Sequence, residues 1–270
     1  MLAEVDVQQV QMSDVRCDTG MDAFLARPGT PGPQPAVVLL HERYGLLQHT
    51  KDLAIRFATE GYVAICPNLF FREPNQAEIA TGNARASLDD ALVVEDVGTA
   101  IAYLRSQVPE AWTERMIVMG VCATGRHPLV VAAARPDVDA CVVFYGGAGN
   151  PRAGQALMEH VVTRSTAPVL GVFGEGDHGI SIDHVLRFRA ALEAARRNFH
   201  IRIVEGAPHG FLNDTLPGRY RRSQAEASWA LIMEFLHRVR AGGYATDRVQ
   251  WKFESNTSAE YDFSKNVRYE

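Results

Sequence analysis

Apolar and polar positions along the chain change period several times, and the changes define the elements. Glu4–Met12 and Met21–Ala26 alternate over short spans separated by polar turn residues, which predicts an antiparallel β-hairpin. The turn cluster Pro28-Gly29-Thr30-Pro31-Gly32-Pro33 then delivers the chain into Ala36–Leu40, apolar on both faces, as in a central strand of a covered, mostly parallel sheet. Thr50–Glu60 has helical spacing in Leu53, Ile55, Phe57 and Ala58 and stops at Gly61, and Tyr62–Cys66 reads as a strand ended by Pro67. After a polar loop, Ser87–Ser106 reads as a long amphipathic helix, Met116–Met119 as a short buried strand, and the stretch after Cys122 as a helix through Ala134. Strands at Ala140–Tyr145, Val169–Phe173 and His200–Val204 then alternate with helices at Asp183–Arg197 and Tyr220–Arg240. The alternation predicts a doubly wound α/β sheet, mostly parallel and flanked by helices, with right-handed crossovers. With no internal repeat and no linker, residues 1–243 are expected to form a single domain. The extension 244–270 carries aromatics at Trp251-Lys252-Phe253 and Tyr261-Asp262-Phe263, more than a disordered tail would hold. It is expected to pack on the domain or on a partner subunit, and a homo-oligomer through this tail is one consequence considered.

Composition narrows the function classes. A formal charge of −5 with no basic block argues against nucleic acid. Four cysteines, at 17, 66, 122 and 141, are too few for a disulfide scaffold and contain no CxxC pair, so no metal site is expected and a reducing compartment fits. No run reaches membrane-span length and the first twenty residues lack a signal-peptide pattern, so the expected location is cytoplasmic, with no membrane partner.

The most specific local signal is Met116-Ile117-Val118-Met119-Gly120-Val121-Cys122-Ala123-Thr124-Gly125. A buried strand runs straight into a helix through a tight turn with a nucleophile at its apex, a nucleophile elbow with cysteine in place of serine. Such a turn exposes the sulfur at a helix N-terminus, where free N–H groups favour a thiolate and an oxyanion; the plain alternative is a buried structural cysteine. An acid at Gly174-Glu175-Gly176-Asp177 and an imidazole at Gly206-Ala207-Pro208-His209-Gly210-Phe211 follow in the order nucleophile, acid, histidine of an α/β-hydrolase, each just after a predicted strand. Cys122, His209 and Asp177 are therefore the predicted catalytic set, although an Asp after a Gly turn or a loop His taken singly is commonplace. The loop His41-Glu42-Arg43-Tyr44-Gly45-Leu46 follows the first buried strand, and it makes the Arg43 and Ala123 N–H groups the candidate oxyanion pair. Glu42 sits either where a carboxylate meets the thiol or as a solvated loop acid.

The motifs His41-Glu42-x-Tyr44-Gly45, Gly120-x-Cys122, Ala140-Cys141-Val142-Val143-Phe144-Tyr145-Gly146-Gly147, Gly174-x-x-Asp177 and His209-Gly210-Phe211 resemble, in order, the dienelactone hydrolase family. The resemblance spans about residues 5 to 240. It implies an α/β-hydrolase fold, a Cys–His–Asp triad and a Glu at position 42 that contacts the resting thiol. It also implies hydrolysis of a small ester or lactone through an acyl-thiol intermediate without a cofactor. The chain departs from the family at Thr124, where the family's elbow normally continues with two glycines and this chain has Thr124 followed by Gly125, and where a hydroxyl could reach the reacting centre. Pro128 falls where it should bend the elbow helix. Leu212-Asn213-Asp214 stands where an Arg would hold a substrate carboxylate, which puts the carboxylated dienelactone in doubt. Arg85 could supply another clamp, with surface arginines the plain alternative for Arg85 and Arg126. Tyr44, Phe70, Phe71, Tyr145 and Phe211 are candidates for the pocket lining or for core. Rival readings are an acyl transferase or thioesterase on this fold, and a ligand-binding or rearrangement protein whose elbow is distorted at Thr124 and Pro128.

Overall fold

The computed structural model describes residues 10–147, 155–244 and 248–255. Among the described residues nine strands form one sheet: β1 Val10–Arg16, β2 Asp22–Pro28, β3 Gln34–Leu40, β4 Val63–Pro67, β5 Ala111–Val121, β6 Val138–Phe144, β7 Val169–Gly174, β8 Phe199–Val204 and β9 Trp251–Ser255. Their spatial order is β1-β2-β4-β3-β5-β6-β7-β8-β9. The pairs β1–β2 and β2–β4 are antiparallel and every other pair is parallel. The expected hairpin is present, with its first strand running on to Arg16, beyond the predicted end at Met12; residues 4–9 of that prediction lie outside the described residues.

Every residue of β3 is buried, and its side chains divide by the two-residue period of a strand. Ala36, Val38 and Leu40 pack with Val97, Leu104, Leu129 and Leu192 from α3 Asp90–Gln107, α4 His127–Ala134 and α6 Ile182–Ala194. Val37 and Leu39 face the other way, onto Phe57 of α1 Gln48–Thr59 and onto Trp229, Ile232 and Leu236 of α7 Arg222–Arg240. This is the α/β-hydrolase arrangement of a mostly parallel sheet covered on both faces. Of two short helices, α2 Gln76–Thr81 falls in the stretch expected to be a polar loop, and α5 Met158–Val162 falls between two predicted strands where the sequence pattern assigns no element. Among the described residues no helix is long and apolar enough to cross a membrane.

The strand order reverses at β3: the chain goes first to β4 on one side and later to β5 on the other. Loops leaving the carboxyl ends of β3 and β5 therefore diverge and leave a crevice between them, the usual place for a site in such sheets.

Part of the C-terminal extension is spent on the chain's own sheet. β9 pairs in parallel with β8, from Phe199↔Trp251 to Ile203↔Ser255. The Trp251 indole stacks on Phe199 at 6.2 Å, and its Nε1 donates to Arg197 O at 2.9 Å. Glu254 takes a hydrogen bond with His200 Nε2 at 2.6 Å. A homo-oligomer through the tail is not supported by this arrangement; Tyr261-Asp262-Phe263 lie outside the described residues. Because β9 is four strands from β5, Trp251→Ala is expected to cost about 1–2 kcal/mol of folding stability while kcat/KM stays within about twofold. Thermal unfolding beside a hydrolysis assay checks both halves.

Candidate active site

β5 ends at Val121, and the next three residues, Cys122–Thr124, form a single 3₁₀ turn ahead of α4. Cys122 has φ 56°, the left-handed region, which for a non-glycine residue costs on the order of 1–2 kcal/mol. The turn closes because two neighbours lack side chains. A Cβ on Gly120 would lie 2.3 Å from Thr124 O, and one on Gly125 would lie 2.6 Å from Gly146 Cα.

Thr124 and Pro128 do not distort this elbow. Pro128 stands in the first turn of α4, where its missing N–H would have had no helical partner, so the expected bend does not occur. Thr124 is fully buried and turned away from the cavity. Its Oγ1 accepts from Val121 N at 3.0 Å and lies 2.9 Å from His41 O and 3.2 Å from Leu40 O.

Three strand ends converge on the thiol. Cys122 Sγ lies 3.1 Å from His209 Nε2, and His209 Nδ1 lies 2.8 Å from Asp177 Oδ2. Asp177, just after β7, is fully buried, and its Oδ1 accepts from Gly179 N at 2.7 Å and Ile180 N at 2.9 Å. Burial alone would disfavour the His209 imidazolium, but hydrogen bonds to Asp177 and Cys122 outweigh it and raise the His209 pKa well above 6.5.

Glu42 is buried but is not bound to the thiol, in contrast to what the resemblance implied. Its Oε1 accepts from Tyr145 Oη at 3.1 Å and its Oε2 from Asn213 Nδ2. Asn213 thus has a role that the sequence did not reveal; only its position four residues after His209 hinted at one. Burial, and then the Glu42 carboxylate, push the Tyr145 hydroxyl well above its ordinary pKa, so it remains a donor. His41 fixes the same loop: its Nε2 accepts from Leu69 N at 3.0 Å, which leaves the proton on Nδ1 to donate to Glu42 O at 2.8 Å. Burial lowers its pKa to about 4, so the ring is neutral at ordinary pH.

A cavity of about 350 Å³ opens on the thiol, lined by Cys122, Ala123, His209 and Tyr145 together with Arg43, Phe70, Arg85, Leu88 and Ile180. The first hydrogen bond of the 3₁₀ turn runs from Gly125 N to Cys122 O, and neither the Ala123 N–H ahead of it nor the Arg43 N–H has a backbone acceptor among the described residues. Tyr44 and Phe211 do not line the cavity. Tyr44 carries the Arg43 guanidinium 4.7 Å from its ring centroid, and Phe211 is buried against Phe144 and Tyr145. Phe71 likewise lies outside the lining and packs against the core. Arg126 is no surface residue: it is buried and paired in two places with Asp90, at 3.2 and 2.9 Å. Among the described residues no group of three or more His, Cys, Asp or Glu side chains could hold a metal ion.

The dienelactone hydrolase family model matches residues 21–240. The chain belongs to the dienelactone hydrolase family. It is 32% identical over 223 residues to a "Putative carboxymethylenebutenolidase" of Escherichia coli strain K12, covering 80% of this chain and 81% of that one. It is 29% identical over 236 residues to a "Probable 2-oxo-3-(5-oxofuran-2-ylidene)propanoate lactonase" of Bradyrhizobium, covering 79% of this chain and 88% of that one. Among solved structures, a "Putative Dienelactone Hydrolase from Klebsiella pneumoniae" superposes with a TM-score of 0.77 at 28% identity, covering 83% of this chain and 97% of that one. These relatives make this family member a hydrolase of small-molecule esters or lactones.

The raised His209 pKa has a signed consequence. The imidazolium contributes stability in full below about pH 6.5, and that contribution is lost as pH rises through the higher folded-state value. In Asp177→Asn the strongest hydrogen bond favouring the cation is weakened, burial gains weight, and the His209 titration should move to lower pH. An NMR titration of the His209 ring follows it, and an unmoved midpoint would contradict the role given to Asp177.

Proposed function

We propose that this chain hydrolyses a small lactone or ester bearing an acidic group, through an acyl-thiol on Cys122. The observation that carries the reading is the relay from Asp177 through His209 to Cys122 Sγ, with separations of 2.8 and 3.1 Å, at the wall of a small cavity.

In this mechanism His209 Nε2 takes the thiol proton and Cys122 Sγ attacks the carbonyl carbon. The Ala123 and Arg43 N–H groups receive the oxyanion. As the tetrahedral species collapses, the ring C–O bond breaks and the leaving oxygen takes the proton from Nε2. His209 then removes a proton from water, which attacks the thioester carbonyl; the thiolate departs and takes that proton back from His209 Nε2, which recovers the resting enzyme. Asp177 keeps the His209 Nδ1 proton in place and stabilises the cation in both halves. No cofactor has a part in these steps.

The acidic group is inferred from two of the three arginines in the cavity wall. Among the described residues neither Arg43 nor Arg85 is paired with a carboxylate. Where a clamping Arg would follow His209 stands Leu212-Asn213-Asp214 instead, with Asn213 bound to Glu42 and Asp214 3.4 Å from His49 and outside the cavity lining. The propanoate in the name of the Bradyrhizobium lactonase supports the same class.

A panel of small lactones and activated esters, with and without a carboxylate, tests the reading. Cys122→Ala and His209→Ala are each expected to lose at least about 10³-fold in kcat/KM, and wild-type rates in Cys122→Ala would refute the thiol mechanism. Arg85→Ala should raise KM by about tenfold for the carboxylated members, a loss of about 1.4 kcal/mol, and leave neutral members unchanged. Equal effects on both groups would remove the acidic-substrate assignment.

A further inference from the structure

Resting on the thiol mechanism just proposed, the geometry points to Thr124 as a positioning residue that holds the two oxyanion donors in register. The candidate donors belong to separate loops. Ala123 lies in the turn after β5, and Arg43 lies two residues beyond His41 in the loop after β3. Their spacing is therefore not fixed by either loop alone.

The Thr124 hydroxyl joins the two. It accepts from Val121 N at 3.0 Å, inside the elbow, and it lies 2.9 Å from His41 O, 3.0 Å from Val121 O and 3.2 Å from Leu40 O. A hydroxyl has one proton, so it donates to one carbonyl at a time, and the nearest belongs to the opposite loop. The group is wholly buried, so water does not replace it readily. On one side its bonds end next to Cys122, and on the other they end one residue before Glu42. The His41 ring and the Glu42 carboxylate hold the rest of that loop, but among the described residues neither is hydrogen-bonded to the elbow turn. Thr124 touches no part of the cavity, so its effect on the reaction passes through the backbone N–H groups of Ala123 and Arg43.

The test compares Thr124→Val, similar in shape but without the hydroxyl, with Thr124→Ser, which retains it. Thr124→Val should lower kcat by about 10- to 100-fold with KM within about threefold, because a misplaced donor weakens binding of the developing oxyanion more than of substrate. Thr124→Ser should recover kcat to within about threefold. Alkylation of Cys122 by iodoacetamide needs no oxyanion donor, and the other cysteines are buried, so its rate should be unchanged in both variants. An unaltered kcat in Thr124→Val, a Ser variant as impaired as Val, or a matching loss of alkylation would each overturn the proposal. Thr124→Ala provides a second hydroxyl-free variant. If both hydroxyl-free variants fail to fold while Ser is fully active, the hydroxyl serves folding and the positioning role falls. Cys122→Ala distinguishes failure of the underlying mechanism: wild-type hydrolysis in that variant removes the mechanism and this role with it.

Discussion

A thiol can stand above a covered parallel sheet only if the chain turns from strand to helix within a few residues, and Cys122 at φ 56° makes that turn. The backbone cost, on the order of 1–2 kcal/mol, persists only where surrounding contacts over-determine the conformation. Here they do. Gly120 and Gly125 let backbone approach backbone, and Thr124 supplies the last buried acceptor that Val121 N requires. Pro128 starts α4 in a position where its fixed φ suits the first helical turn. The reversal of strand order at β3 then decides what faces the sulfur: the loop after β3 on one side, and the loops after β7 and β8 above it.

Electrostatics at this point are handled by burial of a different kind for each group. Asp177 loses water but gains two backbone N–H groups and the imidazole, and its hydrogen bond favours the His209 cation. Glu42 is equally dry but faces neutral donors, Tyr145 and Asn213, and therefore braces the loop without drawing His209 away from the thiol. Two acids with similar burial thus have different effects because their partners differ: one partner can become a cation, and the others remain neutral.

Much of this was legible in the sequence because it rests on period and order. The both-face apolar run at Ala36–Leu40, the alternation of strands and helices, and the sequence of Gly120-x-Cys122, Gly174-x-x-Asp177 and His209-Gly210-Phe211 are all local patterns. What escaped depends on contacts across the fold. β9 is a parallel edge strand made by a tail whose aromatics could equally have met another chain, and only the register with Phe199–Ile203 assigns it. Pro128 is disruptive in a helix that begins directly after Cys122, but a separate 3₁₀ turn intervenes and puts it in the first turn of α4. Glu42 was placed correctly in the chain, yet its partners, Tyr145 and Asn213, lie 103 and 171 residues away. Arg126 looked like a surface residue because its neighbour Asp90 is 36 positions earlier.

The three arginines lining the cavity show how placement decides the role of one side-chain type. Arg126 is buried beside the elbow, and a guanidinium there needs a counterion; Asp90 supplies it in bidentate form, and the pair adds little net field. Arg85 is exposed to water, and Arg43, half-buried with its Nε out of solvent, donates from Nη2 to Gly82 O and packs over the Tyr44 ring, so neither is held by a carboxylate. Their field is therefore left uncancelled on the cavity side, beside Cys122 and the Ala123 N–H. In the proposed reaction the same field acts twice. It concentrates an anionic substrate at the wall, and it favours the negative charge that develops on sulfur and then on oxygen as the acyl-thiol forms. An additional carboxylate on this wall would leave the sheet, the elbow and the His209–Asp177 pair intact and still weaken both effects.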